Sequence, residues 1–217
     1  MSDLPRLLLI ADGFATGRGS DPRRQSPERV RTLTAEAVAA GVRWIMLRDH
    51  AADAPTFLRA AGRLTERLRD ASPGVRIAVN THADAARRLR ADLHVGTRGP
   101  GVAHAARVVE GHGGIVGVSA HAPDEVARAS REGAAYATFS PVHPTATHPG
   151  AEPAGLDALR RATDAAPERP VLALGGITVG RVGACLGAGA HGVAVLSAIL
   201  DAHRPTRAVE QLLAALG

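Results

Sequence analysis

Eight short apolar runs recur along the chain, each followed by a longer stretch of helical pattern, and this alternation limits the fold more than any other feature. The runs are RLLLIAD (6–12), RWIMLRD (43–49), RIAVN (76–80), DLHVG (92–96), GIVGVS (114–119), AYATFS (135–140), VLALGG (171–176) and GVAVLS (192–197). They are rich in Val, Ile, Leu and Ala, as strands covered on both faces of a parallel sheet require. Helical patterns such as 27–40, 54–70, 123–132 and 178–186 lie between them, several closed by the glycine that suits a helix C-terminus. EAVAAGVRW, ASREGAAYA and ACLGAGAHGVA repeat one arrangement: helix end, glycine turn, strand start. Eight βα units in 217 residues predict an α/β fold, a (β/α)8 TIM barrel forming a single domain over 1–217. An open doubly wound sheet is the alternative. Aromatic residues make up only 2% of the chain, so the core must be filled by small aliphatic side chains in close contact.

Composition excludes several kinds of chemistry. All 26 basic residues are arginine, so no lysine Schiff base can form. The single cysteine, Cys185, has no internal disulfide partner and sits in a helical pattern, which fits a buried thiol in a reducing compartment. The formal charge is +5, yet the arginines are scattered along helices without aromatic stacking partners. An anionic small molecule is therefore the expected partner, rather than nucleic acid. No run reaches membrane length and the N-terminal segment lacks the pattern of a signal peptide, so a cytoplasmic location without membrane contact is expected. Pairing of barrels into a homo-oligomer through outer helices stays open.

In a barrel of this kind chemistry belongs at the C-terminal ends of the strands. Those ends carry Asp12, Arg48 with Asp49 and His50, Asn80 with His82, His94, Ser119 with His121, Ser140 with His143, Gly175 with Gly176, and Ser197. LALGGIT and GVAVLSAI make the more specific pair. Gly175 and Gly176 allow a ligand to approach backbone N–H groups, and Ser197 with Ala198 offers more of them at the start of a helix. These four residues form the expected phosphate site. The loop SPVHPTATHPG (140–150) adds hydroxyls and histidines to a backbone stiffened by Pro141, Pro144 and Pro149.

The stretch GVSAHAPDEVARASREGAAYATFSPVHPTATHPG, followed by LALGGIT and GAGAHGVAVLSAIL, resembles the thiamine-phosphate synthase superfamily, which includes the thiazole tautomerases. The likeness extends back through ADLHVG and IAVNTHAD to IMLRDH. It implies the same barrel and a small phosphorylated heterocycle of the thiazole phosphate type. A synthase of this family joins a pyrimidine diphosphate to a thiazole phosphate and uses Mg²⁺ to hold the diphosphate. Here the metal positions are altered. Met46 and His50 stand for a glutamine and a lysine, and Thr81 and Gly99 for two aspartates. Arg98 lies beside Gly99, and His148 replaces a lysine.

Mg²⁺ seeks oxygen ligands, usually carboxylates with phosphates, so no metal is expected unless the chain is a synthase. The expectation drawn from these departures is a metal-independent, tautomerase-like isomerase acting on a phosphorylated carboxythiazole. The resemblance gives His121 the catalytic proton transfer, which an imidazole performs near neutral pH. Arg48, Asn80, Ser119, Thr145, Thr147 and His148 would bind substrate, with Arg48 facing its carboxylate and Arg98 neutralising charge where the family places metal. The alternatives are a thiamine-phosphate synthase, a non-catalytic member that binds a phosphate ligand, and a transition metal held by strand-end histidines.

Overall fold

The computed structural model describes residues 4–19, 26–96, 99, 101–145 and 150–217. Eight parallel strands close into a barrel in chain order: β1 (Leu7–Asp12), β2 (Trp44–Arg48), β3 (Arg76–Asn80), β4 (Asp92–Val95), β5 (Val116–Ala120), β6 (Tyr136–Phe139), β7 (Val171–Leu174) and β8 (Gly192–Val195). Closure is completed where β8 pairs with β1, Val193 opposite Leu7. Around them run α1 (Pro27–Ala39), α2 (Ala54–Ala71), α3 (Ala83–Leu89), α4 (Val102–Val109), α5 (Pro123–Arg131), α6 (Gly155–Asp164) and α7 (Val179–Gly187). A short α8 (Ser197–Leu200) and a final α9 (Pro205–Leu216) follow β8.

Local signals set these elements. At the start of α1 the Ser26 hydroxyl accepts the Arg29 N–H at 3.2 Å, and at α2 the Asp53 carboxylate accepts the Thr56 N–H at 2.8 Å. Each cap is followed by a proline in the first turn, where its missing donor costs nothing. In α2, Phe57, Ala60, Ala61, Leu64 and Leu68 recur at helical spacing and face the barrel, while Arg59, Arg63 and Arg67 face solvent. The seventh run ends earlier than its sequence suggests. Strand β7 stops at Leu174, because Gly175 and Gly176 take φ of +96° and +63° and turn the chain out of the sheet.

Few aromatic side chains are available, and two of them occupy the barrel interior. Trp44 from β2 meets Tyr136 from β6 edge to face, with ring centroids 4.6 Å apart. Gly117 of β5 makes room for this, since a methyl group there would overlap the Tyr136 ring. At the N-terminal ends of β3 and β4, Arg76 grips Asp92 through two bonds of 2.5 and 3.0 Å. Asp92 also accepts the Ile115 N–H at 3.0 Å, so its buried charge is fully partnered. The register then brings polar residues to the opposite end: Asp12 beside Arg48, Asn80 beside His94, and Ser119 beside Thr138.

Candidate active site

At the ends of β1 and β2 the Arg48 Nε–H donates to Asp12 Oδ1 at 2.8 Å. Asp12 is 1% exposed and the Arg48 side chain 14% exposed, so this is a largely dry ion pair that holds the guanidinium at the mouth. Next to it, Asp49 anchors the β1–α1 loop. Its buried carboxylate accepts the Ala15 N–H (3.0 Å), the Thr16 N–H (2.8 Å), the Thr16 hydroxyl (3.0 Å) and the Ala51 N–H (3.2 Å).

Asn80 ends β3. Its Oδ1 is buried and has no partner among the described residues. Thr81 follows at φ +64°, a conformation unusual for a β-branched residue. Two bonds hold it there: its N–H donates to the His94 carbonyl at 2.9 Å and its hydroxyl to the Asn80 carbonyl at 2.8 Å. His94 itself lies inside the barrel, 1% exposed, between Tyr136 Oη (3.1 Å from Nδ1) and Ser119 Oγ (2.9 Å from Nε2). Burial, helped by the Arg48 charge, pushes its pKa down to about 3 and keeps the ring neutral.

His121 stands just past β5, exposed to solvent. Its Nδ1 is 2.7 Å from the Ser140 carbonyl, an acceptor only, so Nδ1 carries the hydrogen. The neutral ring therefore presents the Nε2 lone pair as a base. Its backbone N–H is fixed by Glu125 at 2.6 Å.

The β6–α6 loop lies directly on the turn after β7. Val142 N–H donates to the Leu174 carbonyl (2.9 Å) and His143 N–H to the Gly175 carbonyl (3.1 Å). A methyl group at Gly175 would come within 2.8 Å of Pro141, and one at Gly176 would collide with the Pro144 carbonyl. Both glycines thus serve loop packing as well as an open backbone. Arg181, from the first turn of α7, donates to the Gly176 carbonyl at 2.6 Å. Burial lowers the His143 pKa, and the nearby Arg181 charge adds to the effect.

The residues singled out in the sequence are thus partly assembled. Arg48, Asn80, Ser119, His121, Gly175, Gly176, Ser197 and Ala198 sit at or just beyond the C-terminal strand ends, and Thr145 is half-buried in the β6–α6 loop. Thr147, His148 and Arg98 lie outside the described residues. Arg48 is not a lone cation awaiting a carboxylate, because Asp12 already shares its charge. The strand-end histidines do not converge. His94 points inward, His82 stacks on Phe57 at 3.9 Å, and His50 is exposed. Among the described residues no three His, Cys, Asp or Glu side chains are grouped to hold a metal.

A Mg²⁺ ion also finds a poor donor set. The orphaned Asn80 Oδ1 is one suitable oxygen, but the mouth carboxylates Asp12 and Asp49 are committed to Arg48 and to the β1–α1 loop. Thr81 and Gly99 offer no carboxylate where the family has one. The residues present do not fit a resident Mg²⁺. Sequence reasoning placed Asp12 and His94 among the polar strand ends without their partners, and passed over Tyr136 and Arg181. Asp12 and the His94–Tyr136 pair had a signal, namely polar residues at inward positions of otherwise apolar runs.

Residues 17–199 match the family model described as thiamine monophosphate synthase. The chain belongs to that family. A thiamine-phosphate synthase of Acidothermus cellulolyticus is 36% identical over 198 residues, covering 90% of this chain and 92% of that protein. One from Mycobacterium bovis is 37% identical over 206 residues, covering 91% and 92%. The thiamine phosphate pyrophosphorylase of Pyrococcus furiosus has the same fold, with a TM-score of 0.81 at 25% identity over 97% of this chain and 95% of that one. This member of the thiamine monophosphate synthase family is therefore an enzyme of the barrel class expected from its sequence. These relatives carry the synthase name, which favours the coupling alternative over the isomerase expected from the altered metal positions. No helix among the described residues is long and apolar enough to cross a membrane.

Proposed function

We propose that the chain is a thiamine-phosphate synthase. The thiazole nitrogen attacks the methylene carbon of a hydroxymethylpyrimidine diphosphate, the carbon–oxygen bond to diphosphate breaks, and thiamine phosphate and pyrophosphate leave. The observation that carries this reading is 36% and 37% identity over about nine-tenths of the chain to proteins named for that reaction. In this reading the backbone at Gly175, Gly176, Ser197 and Ala198 holds the thiazole phosphate. Thr145 and Thr147 donate hydroxyls to the diphosphate, and Arg48, oriented by Asp12, supplies a fixed positive charge against the leaving group. Asn80 and Ser119 orient the pyrimidine, and His148 lines the diphosphate side.

A second reading, tautomerisation of a carboxythiazole phosphate, has one observation in its favour. His121 is locked as the Nδ1–H tautomer by the Ser140 carbonyl, leaving Nε2 as a base at the mouth. Assaying purified protein for both reactions, each with Mg²⁺ and with a chelator, separates the two. Coupling activity supports the synthase. Tautomerisation alone, lost in His121→Ala with the fold intact, would replace it.

A further inference from the structure

Three hydrogen-bonding groups run in a line from the barrel interior to the mouth: Tyr136 Oη, the His94 ring and Ser119 Oγ, with separations of 3.1 and 2.9 Å. The direction of this line can be deduced. The Tyr136 phenol is fully buried, and among the described residues the only acceptor within reach of its O–H is His94 Nδ1. A buried O–H without an acceptor is strongly disfavoured, so Tyr136 donates and Nδ1 accepts. A neutral imidazole carries one hydrogen, which must then be on Nε2. Nε2–H donates to Ser119 Oγ. That bond occupies Ser119 as an acceptor and leaves its own hydrogen directed elsewhere. Ser119 alone of the three is partly exposed, at the end of β5.

We propose that Tyr136 and His94 are positioning residues that fix the Ser119 hydroxyl as a hydrogen donor to an acceptor atom of the substrate. The class of atom that takes this hydrogen follows: an acceptor such as a phosphate oxygen or an unprotonated ring nitrogen. Both inner groups stay neutral over the working range, since burial lowers the His94 pKa to about 3 and raises that of Tyr136 well above its ordinary value. The arrangement depends on Gly117, whose missing side chain is the space the phenol ring occupies. It rests on the proposed function only in that Ser119 touches substrate.

The tautomer can be read without any substrate, from the ¹⁵N resonances of His94 in the free protein, assigned by their loss in His94→Gln. The Nε2–H form is expected, and the Nδ1–H form would overturn the proposal. The second measurement is a double-mutant cycle with Ser119→Ala and Tyr136→Phe. It follows calorimetric binding of inorganic pyrophosphate and the KM for pyrimidine diphosphate and for thiazole phosphate, with thermal melting as the fold control. Each single variant should weaken one of these by about five- to tenfold, the scale of one hydrogen bond, and the double variant should be no weaker than Ser119→Ala alone. Which ligand responds identifies the acceptor. Effects of the two substitutions that multiply would mean Tyr136 does not act through Ser119. Absence of coupling activity alongside the Nε2–H tautomer and a non-multiplying cycle on pyrophosphate would count against the proposed reaction and leave this inference standing.

Discussion

Asp12 and Arg48 illustrate how a single dry ion pair shapes this mouth. Removing one partner leaves the other charge buried and uncompensated, which costs more than the pair itself contributes. Asp12→Asn keeps the shape and removes the charge, so a loss of about 3 kcal/mol is expected from urea unfolding. His94 makes a second residue-scale prediction. Its folded pKa of about 3 lies below the ordinary value of 6.5, so between those limits the unfolded chain binds more protons than the folded one. Stability from this ring is therefore fully present above about pH 6.5 and falls as pH drops toward 3, by about 1.4 kcal/mol per unit for one proton. Chemical denaturation at several pH values should show that slope in the native protein and a flatter one in His94→Gln. An unchanged slope would mean His94 titrates normally.

The β1–α1 connection is held by one carboxylate from β2's end and one guanidinium from α1. Asp49 accepts the Ala15 and Thr16 N–H groups, and Arg31 donates to the Phe14 carbonyl at 2.9 Å. Asp49→Ala should speed amide exchange across 13–19 by at least about tenfold while the strands stay protected, since only the loop loses its acceptors. Elements of this kind differ in how far the sequence reveals them. The strand runs were legible because burial on both faces demands unbroken Val, Ile, Leu and Ala, and RIAVN coincides with β3 residue for residue. VLALGG overshot because apolar pattern alone does not show that Gly175 and Gly176 have positive φ. The site was legible as a set of polar strand ends but not as pairings. That Arg48 is committed to Asp12, or that Tyr136 reaches His94 from β6 to β4, depends on barrel closure and on the gap at Gly117, which no local pattern encodes.

At the scale of the molecule, the barrel supplies its positive charge through arginine alone, each side chain always ionised and able to present several donors at once. The chain lacks carboxylates at 81 and 99 and retains the family's overall frame. If the donor set is as poor for Mg²⁺ as its geometry implies, calorimetric titration of Mg²⁺ into the ligand-free protein should show no saturable binding at micromolar concentrations, and saturation there would reverse that conclusion. The contact of the β6–α6 loop with the turn after β7 reaches further. Pro141, His143 and Pro144 rest on Gly175 and Gly176, so the segment proposed to hold one substrate and the turn proposed to hold the other share one packed contact. If binding at one of these halves shifts that contact, the reciprocity of binding free energies requires each substrate to alter the other's affinity by the same factor. Gly176→Ala, which drives a methyl group into the Pro144 carbonyl, is expected to weaken both substrates together rather than one alone.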